Sequence, residues 1–195
     1  MISNVVRRSL VVVGVMAALG TGLAQGKECK GVNFPDQAQV DGNGLTLNGL
    51  GLRQATILKV NVYVGALYVT KTGTDANALL AANAPYEVIL QFVRDVGAGD
   101  IAKGWEEGFA KNSKADLPAL KDRMATMNGW MADVKSGQQL VFAFKPGIGV
   151  QVSVNGVVKG TVKGDDFGRA LLAIWLGADP PNSELKAGLL GGACG

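Results

Sequence analysis

The chain has 195 residues, a formal net charge of +3, 48% hydrophobic and 18% charged residues, and 28 glycines. That length favours one domain, and the composition supplies a core rather than a disordered chain. Histidine is absent, which removes the Ser-His-Asp triad, the Cys-His dyad and the common histidine-containing zinc sites. Two of the positive charges, Arg7 and Arg8, precede the first acid, Glu28; the remainder is close to neutral and has no basic run to attract nucleic acid or anionic lipid.

Residues 1–24 read as a secretory leader, with Arg7 and Arg8 as its positive start, a mostly apolar stretch over 9–19, and the small-x-small sequence Gly22-Leu23-Ala24 as a cleavage site. The apolar run is too short to span a bilayer, which takes ~20 residues, so a chain exported to the periplasm or medium, a single domain over 25–195, is expected. The only cysteines are Cys29 and Cys194, near the two ends of that chain. In an oxidising compartment they most simply pair, and a redox or metal role lacks the close spacing it needs.

Glycines at 42, 44, 49 and 51 punctuate short apolar alternations, which predicts short strands joined by turns. Residues 54–70 then predict one long strand, with Leu58, Val60, Val62, Val64, Ala66 and Tyr68 on one face, Ile57, Lys59, Asn61, Tyr63, Gly65 and Leu67 on the other, and a bend at Gly65. A short helix over 75–82 and a strand over 86–93 follow. Ile101, Trp105 and Phe109 recur every fourth residue, predicting a helix with Asp100 as its N-cap. The apolar positions Leu117, Leu120, Met124, Met127, Met131 and Val134 extend a second helix to Gly137.

Two hairpin turns, Pro146-Gly147 and Asn155-Gly156, separate strands over 140–144, 150–154 and 157–162. Asp165 or Asp166 is expected to cap a helix that stops at Gly177, and a last short helix occupies 184–190. The order predicts an α+β fold with helices packed on one face of an antiparallel sheet.

Several motifs resemble the chalcone isomerase-like family, in its bacterial exported branch: Gly51-Leu52-Arg53, the Tyr63 to Val69 run, Phe92-Val93-Arg94, Pro146-Gly147-Ile148-Gly149, Asp166-Phe167 and Ile174-Trp175-Leu176-Gly177. The resemblance implies the chalcone isomerase fold. Enzymes of this family close a chalcone to a flavanone, and Arg53 looks like their cleft arginine. Their other catalytic groups do not carry over: a strand threonine aligns with Tyr63, a helix tyrosine and asparagine with Asp100 and Glu107, and a later polar residue with Ile174. Carboxylates at those places would repel the developing enolate. Other branches hold a fatty-acid carboxylate with the same arginine and a strand tyrosine, and Arg53 with Tyr63 looks like that pair.

The residues by themselves leave alternatives open, since such an arginine is often a rim residue satisfied by an acid and such a tyrosine a core filler. Lys59 and Asn61 either extend a polar cleft or meet solvent. Trp105, Trp130 and Trp175 read as core on helix faces, adjacent Glu106 and Glu107 do not share a face, Gly147-Ile148-Gly149 reads as a hairpin, and Asp165-Asp166 reads as a cap rather than a metal site. The resulting expectation is a non-catalytic protein binding a small amphipathic carboxylate such as a fatty acid. It has Arg53 and Tyr63 as ligand-binding residues, no cofactor, no metal, no catalytic residue and no nucleic-acid partner. The rival expectations are an isomerase acting on an unknown enone and an envelope protein-interaction module.

Overall fold

The computed structural model describes residues 26–195; the leader expected over 1–24 lies outside them. Strands β1 (Gly26–Cys29) and β2 (Val32–Pro35) form a hairpin. A seven-stranded sheet follows in strict chain order: β3 (Gln37–Val40), β4 (Asn43–Ala55), β5 (Val60–Val69), β6 (Tyr86–Phe92), β7 (Gln139–Lys145), β8 (Gly149–Val154) and β9 (Val157–Lys163), every neighbour antiparallel. Helices α1 (Ala76–Ala81), α2 (Ala98–Asn112), α3 (Leu117–Asn128), α4 (Asp165–Leu176) and α5 (Ser183–Leu189) add their apolar residues to one core on one sheet face. This is the expected α+β architecture.

Because side chains alternate along a strand, β5 feeds two cores. Tyr63, Leu67 and Val69 join the helix-side core with Phe92, Trp105 and Trp175. Val64, Ala66 and Tyr68 join a second core, which Cys29 and Phe34 of the β1–β2 hairpin cover from the opposite side. The expected strand over 54–70 is corrected in two respects. Residues 56–59 form a turn with Thr56 and Lys59 in the left-handed region (φ 63° and 50°), so Arg53 belongs to β4 rather than preceding a strand. The irregularity in β5 lies at Val62, not at Gly65: Arg53 pairs with Tyr63 but Gln54 pairs with Asn61, leaving Val62 as an extra residue, while pairing through Gly65 is regular. A bulge of this kind rotates the backbone, and Val62 consequently packs against the same core as Tyr63.

The helix ends differ from the expected ones for local reasons. Gly97 is the N-cap of α2; the Ala98 N–H donates to Asp133 Oδ1 at 2.9 Å, and Asp100 lies in the first turn, where a carboxylate meets the positive end of the helix. Helix α3 stops at Gly129 rather than Gly137, because Val134 is taken by a two-way backbone bridge to Val96 at 2.9 Å. Trp130 therefore lies beyond the helix, against Gly160 of β9. Gly164, at φ 104°, occupies the N-cap position of α4 without a side-chain cap bond. Asp165 instead accepts from the Gly147 N–H at 2.7 Å, and Asp166 grips Arg123 of α3 through both oxygens, at 2.8 and 2.6 Å. No cluster of three metal-ligating side chains occurs among the described residues.

Helix α4 is buried on nearly every side and crosses α2 where Gly108 leaves no room between the helices; a Cβ there would run into Ile174. Helix α5 lies across β4 in the same manner, with the carbonyl of Leu185 over Gly51. The C-terminal end is tied by a Cys29–Cys194 disulfide, Cα atoms 5.9 Å apart and 165 positions apart in sequence, a closure worth up to about 5 kcal/mol in loop entropy. Among the described residues, no helix is long and apolar enough to cross a membrane. Gly51→Ala is expected to push α5 off β4 and to cost about 1–3 kcal/mol, read as a lowered midpoint in urea unfolding.

Candidate functional site

The pairing register sets Arg53, Tyr63 and Phe92 side by side across β4, β5 and β6. Tyr63 is buried, and its Oη accepts the indole N–H of Trp175 from α4 at 3.0 Å, with the Phe92 ring edge-on at 5.7 Å. Among the described hydrogen bonds the phenol proton has no acceptor. Burial pushes this phenol up to about 12, against the lowering effects of the Trp175 bond and the Arg53 charge. Tyr63 is thus a neutral donor at physiological pH.

Arg53 is half-buried, donates through Nη1 to the carbonyl of Gln54, and forms no ion pair with any described carboxylate. Beside both residues opens a cavity of about 490 Å³. Its buried wall is Tyr63, Phe92, Ile101, Trp105 and Ile174, and its exposed rim carries Arg94, Lys111 and four carboxylates, Asp95, Asp100, Glu107 and Asp179.

Three of those carboxylates are already partnered: Asp95 with Lys135 at 2.9 Å, Glu107 with Lys103 at 3.9 Å and Asp179 with Lys111 at 3.9 Å. The hydrogen bond from Lys135 holds the Asp95 carboxyl below its usual range. Exposed pairs like these add little stability, but they leave Arg53 and Arg94 as the rim cations without a carboxylate partner among the described residues. The ring of Trp105 lies edge-on to Phe142 at 5.5 Å and Trp175 at 5.9 Å, and its buried Nε1 has no acceptor. A buried donor without a partner costs about 1–3 kcal/mol. Arg53 and Tyr63 give the site unused donors, a chemistry suited to an anionic or carbonyl oxygen, while Asp100 is the rim carboxylate without an ion-pair partner among the described residues.

Arg53 and Tyr63, the residues expected to hold a ligand, lie opposite each other on β4 and β5 and both line the cavity. The structure leaves Lys59 and Asn61 outside the cavity lining, with Asn61 accepting from Gln54 at 2.9 Å on the exposed side. Asp100, Glu107 and Ile174, the positions aligned with the missing catalytic groups, all line the same cavity. Trp105 and Trp175 are core residues as read, yet Trp105 also walls the cavity and Trp175 orients Tyr63. Arg94 entered the sequence reading only as part of a motif; its place two residues after Phe92 was the available signal for a rim role.

The sequence pattern of the chalcone isomerase-like family matches residues 26–191. The chain belongs to the chalcone isomerase-like family. No curated protein matches it. Among solved structures it is similar to a fatty-acid binding protein of Arabidopsis thaliana, with a TM-score of 0.66, 16% identity, and coverage of 85% of this chain and 96% of that one. This likeness establishes the fold shared within the family.

The phenols of this family member supply a test of the buried site. The chain has three tyrosines, Tyr63, Tyr68 and Tyr86, and burial raises all three from 10.0. A folded-state value above the unfolded one means that the unfolded chain releases protons first, so stability falls as pH rises, for Tyr63 between 10.0 and about 12. Absorbance titration should show no tyrosinate in the folded protein around pH 10, where the urea-unfolded chain titrates. A tyrosine ionising normally in the folded state contradicts the burial of these phenols.

Proposed function

We propose that this chain is an exported, non-catalytic member of its family that binds a small amphipathic carboxylate of the fatty-acid class, with Arg53 as anchor and Tyr63 as helper. The observation that carries this reading is a guanidinium without a carboxylate partner, next to a neutral phenol with an unused proton, at a cavity whose buried wall is mainly apolar. Guanidinium presents a fork of donors suited to a carboxylate, and a phenol adds a third hydrogen bond. A volume of about 490 Å³ falls within the usual range for small-molecule sites, ~300–1,000 Å³. The similar structure from Arabidopsis thaliana is named a fatty-acid binding protein, which supports the same class. Export is supported by the leader-like sequence of residues 1–24 and by the Cys29–Cys194 disulfide, which suits an oxidising compartment.

Catalysis of the family's ring closure is disfavoured by the cavity lining. An enolate forming in this cavity would meet Asp100, Glu107 and Ile174 at the positions that the resemblance aligns with the enzymes' hydrogen-bonding groups, and none of the three donates a hydrogen bond when the carboxylates are ionised. Lipid extraction of the purified processed protein followed by mass spectrometry should yield acyl carboxylates. In titration calorimetry, Arg53→Ala should weaken a fatty acid about 10–100-fold while leaving the alcohol of equal chain length nearly unchanged. A protein that carries no lipid and binds no acyl chain, or an Arg53→Ala variant equal to wild type, overturns the proposal. Loss of chalcone absorbance above background would favour the isomerase reading instead.

A further inference from the structure

The turn joining β4 to β5 presents two adjacent aliphatic side chains to the outside: Ile57 is 99% exposed and Leu58 80%. Its backbone is tied inward. The Lys59 N–H donates to the Thr56 carbonyl at 3.1 Å, the Leu58 N–H to Thr56 Oγ1 at 3.3 Å, and Gln54 Nε2 to the Lys59 carbonyl at 3.2 Å. The turn is thus closed on its polar side and apolar at its tip. The other large exposed aliphatics, Ile148, Val157 and Val158, belong to the β7–β9 end of the sheet and do not line the cavity. The tip does adjoin it: Ala55 and Thr56, immediately before Ile57, are part of the cavity lining, as is Arg53 two residues earlier.

We propose that Ile57 and Leu58 insert into a lipid bilayer and set the cavity mouth against it, so that an acyl ligand passes between bilayer and cavity without crossing bulk water. The inference rests on the ligand reading above, because an amphipathic carboxylate is stored in bilayers. Two side chains on a convex turn fall well short of the ~800 Å² per partner of a stable protein interface, but they suit shallow, reversible insertion. Three of the four rim carboxylates are matched by lysines, so contact is driven by apolar burial and needs no anionic lipid.

Flotation of the processed protein with phosphatidylcholine vesicles, together with stopped-flow transfer of a fluorescent fatty acid out of those vesicles, tests the proposal. Wild type should co-float, and its transfer rate should rise with vesicle concentration. The double variant Ile57→Ser with Leu58→Ser should bind vesicles roughly tenfold or more weakly and transfer at a rate independent of vesicle concentration, with fatty-acid affinity in solution changed less than about twofold. Equal flotation or equal transfer by the variant overturns the proposal. So does a wild-type dimer that becomes monomeric in the variant, which would assign the tip to a second copy. If neither protein takes up fatty acid, the ligand reading fails and flotation decides the tip by itself: co-flotation lost in the variant sustains bilayer contact, and absence of wild-type flotation refutes it.

Discussion

A guanidinium half-withdrawn from water, with no acid beside it, is the feature around which the site is organised. Arg53 meets only the carbonyl of Gln54, which accepts one of its donors and neutralises none of its charge. Placing a charge at the edge of an apolar wall is costly unless something compensates it. The nearest ionisable neighbour on the wall, Tyr63, is kept neutral by burial. The rim acids that line the same hollow are mostly occupied by lysines, so compensation falls to water or to a ligand.

The fold delivers this arrangement through backbone pairing more than through any loop. Antiparallel register across three strands sets Arg53, Tyr63 and Phe92 in one row, and the extra residue at Val62 turns that part of β5 toward the helices. Helix α4, buried along almost its whole length, carries Trp175 into hydrogen-bonding range of Tyr63 and Ile174 into the cavity wall. The glycine at 108 lets α2 approach α4 closely enough to close the far side. A site built on strands and packed helices is held more rigidly than one built on loops.

Much of this architecture was legible in the sequence because periodicity and turn chemistry are local signals. The alternation over β5 correctly separated Tyr63 and Leu67 from Val64, Ala66 and Tyr68. The two hairpins after Pro146 and Asn155 followed from their turn residues. Failures came where an unmarked backbone turn or a long-range contact overrode a local pattern. Thr56 and Lys59 adopt left-handed backbone without being glycine, so the β4–β5 turn was hidden inside an apolar run. Val134 continued a helical spacing but was claimed by pairing with Val96. Asp166 resembled a cap until Arg123 of α3 took both its oxygens. The pairing of Arg53 with Tyr63 was reachable from family resemblance, whereas the unpartnered Trp105 N–H and the rim position of Arg94 depend on packing that no one-dimensional pattern encodes.

If Arg53 compensates the charge of a bound carboxylate, the carboxyl group of the ligand reports it most directly. A fatty acid labelled with carbon-13 at its carboxyl carbon can be titrated by NMR while bound. A headgroup held by the guanidinium and the Tyr63 hydroxyl should titrate below the free acid, and Arg53→Gln should return it toward or above the free value. A bound carboxyl that titrates like the free acid in water, unchanged by the substitution, would contradict the account.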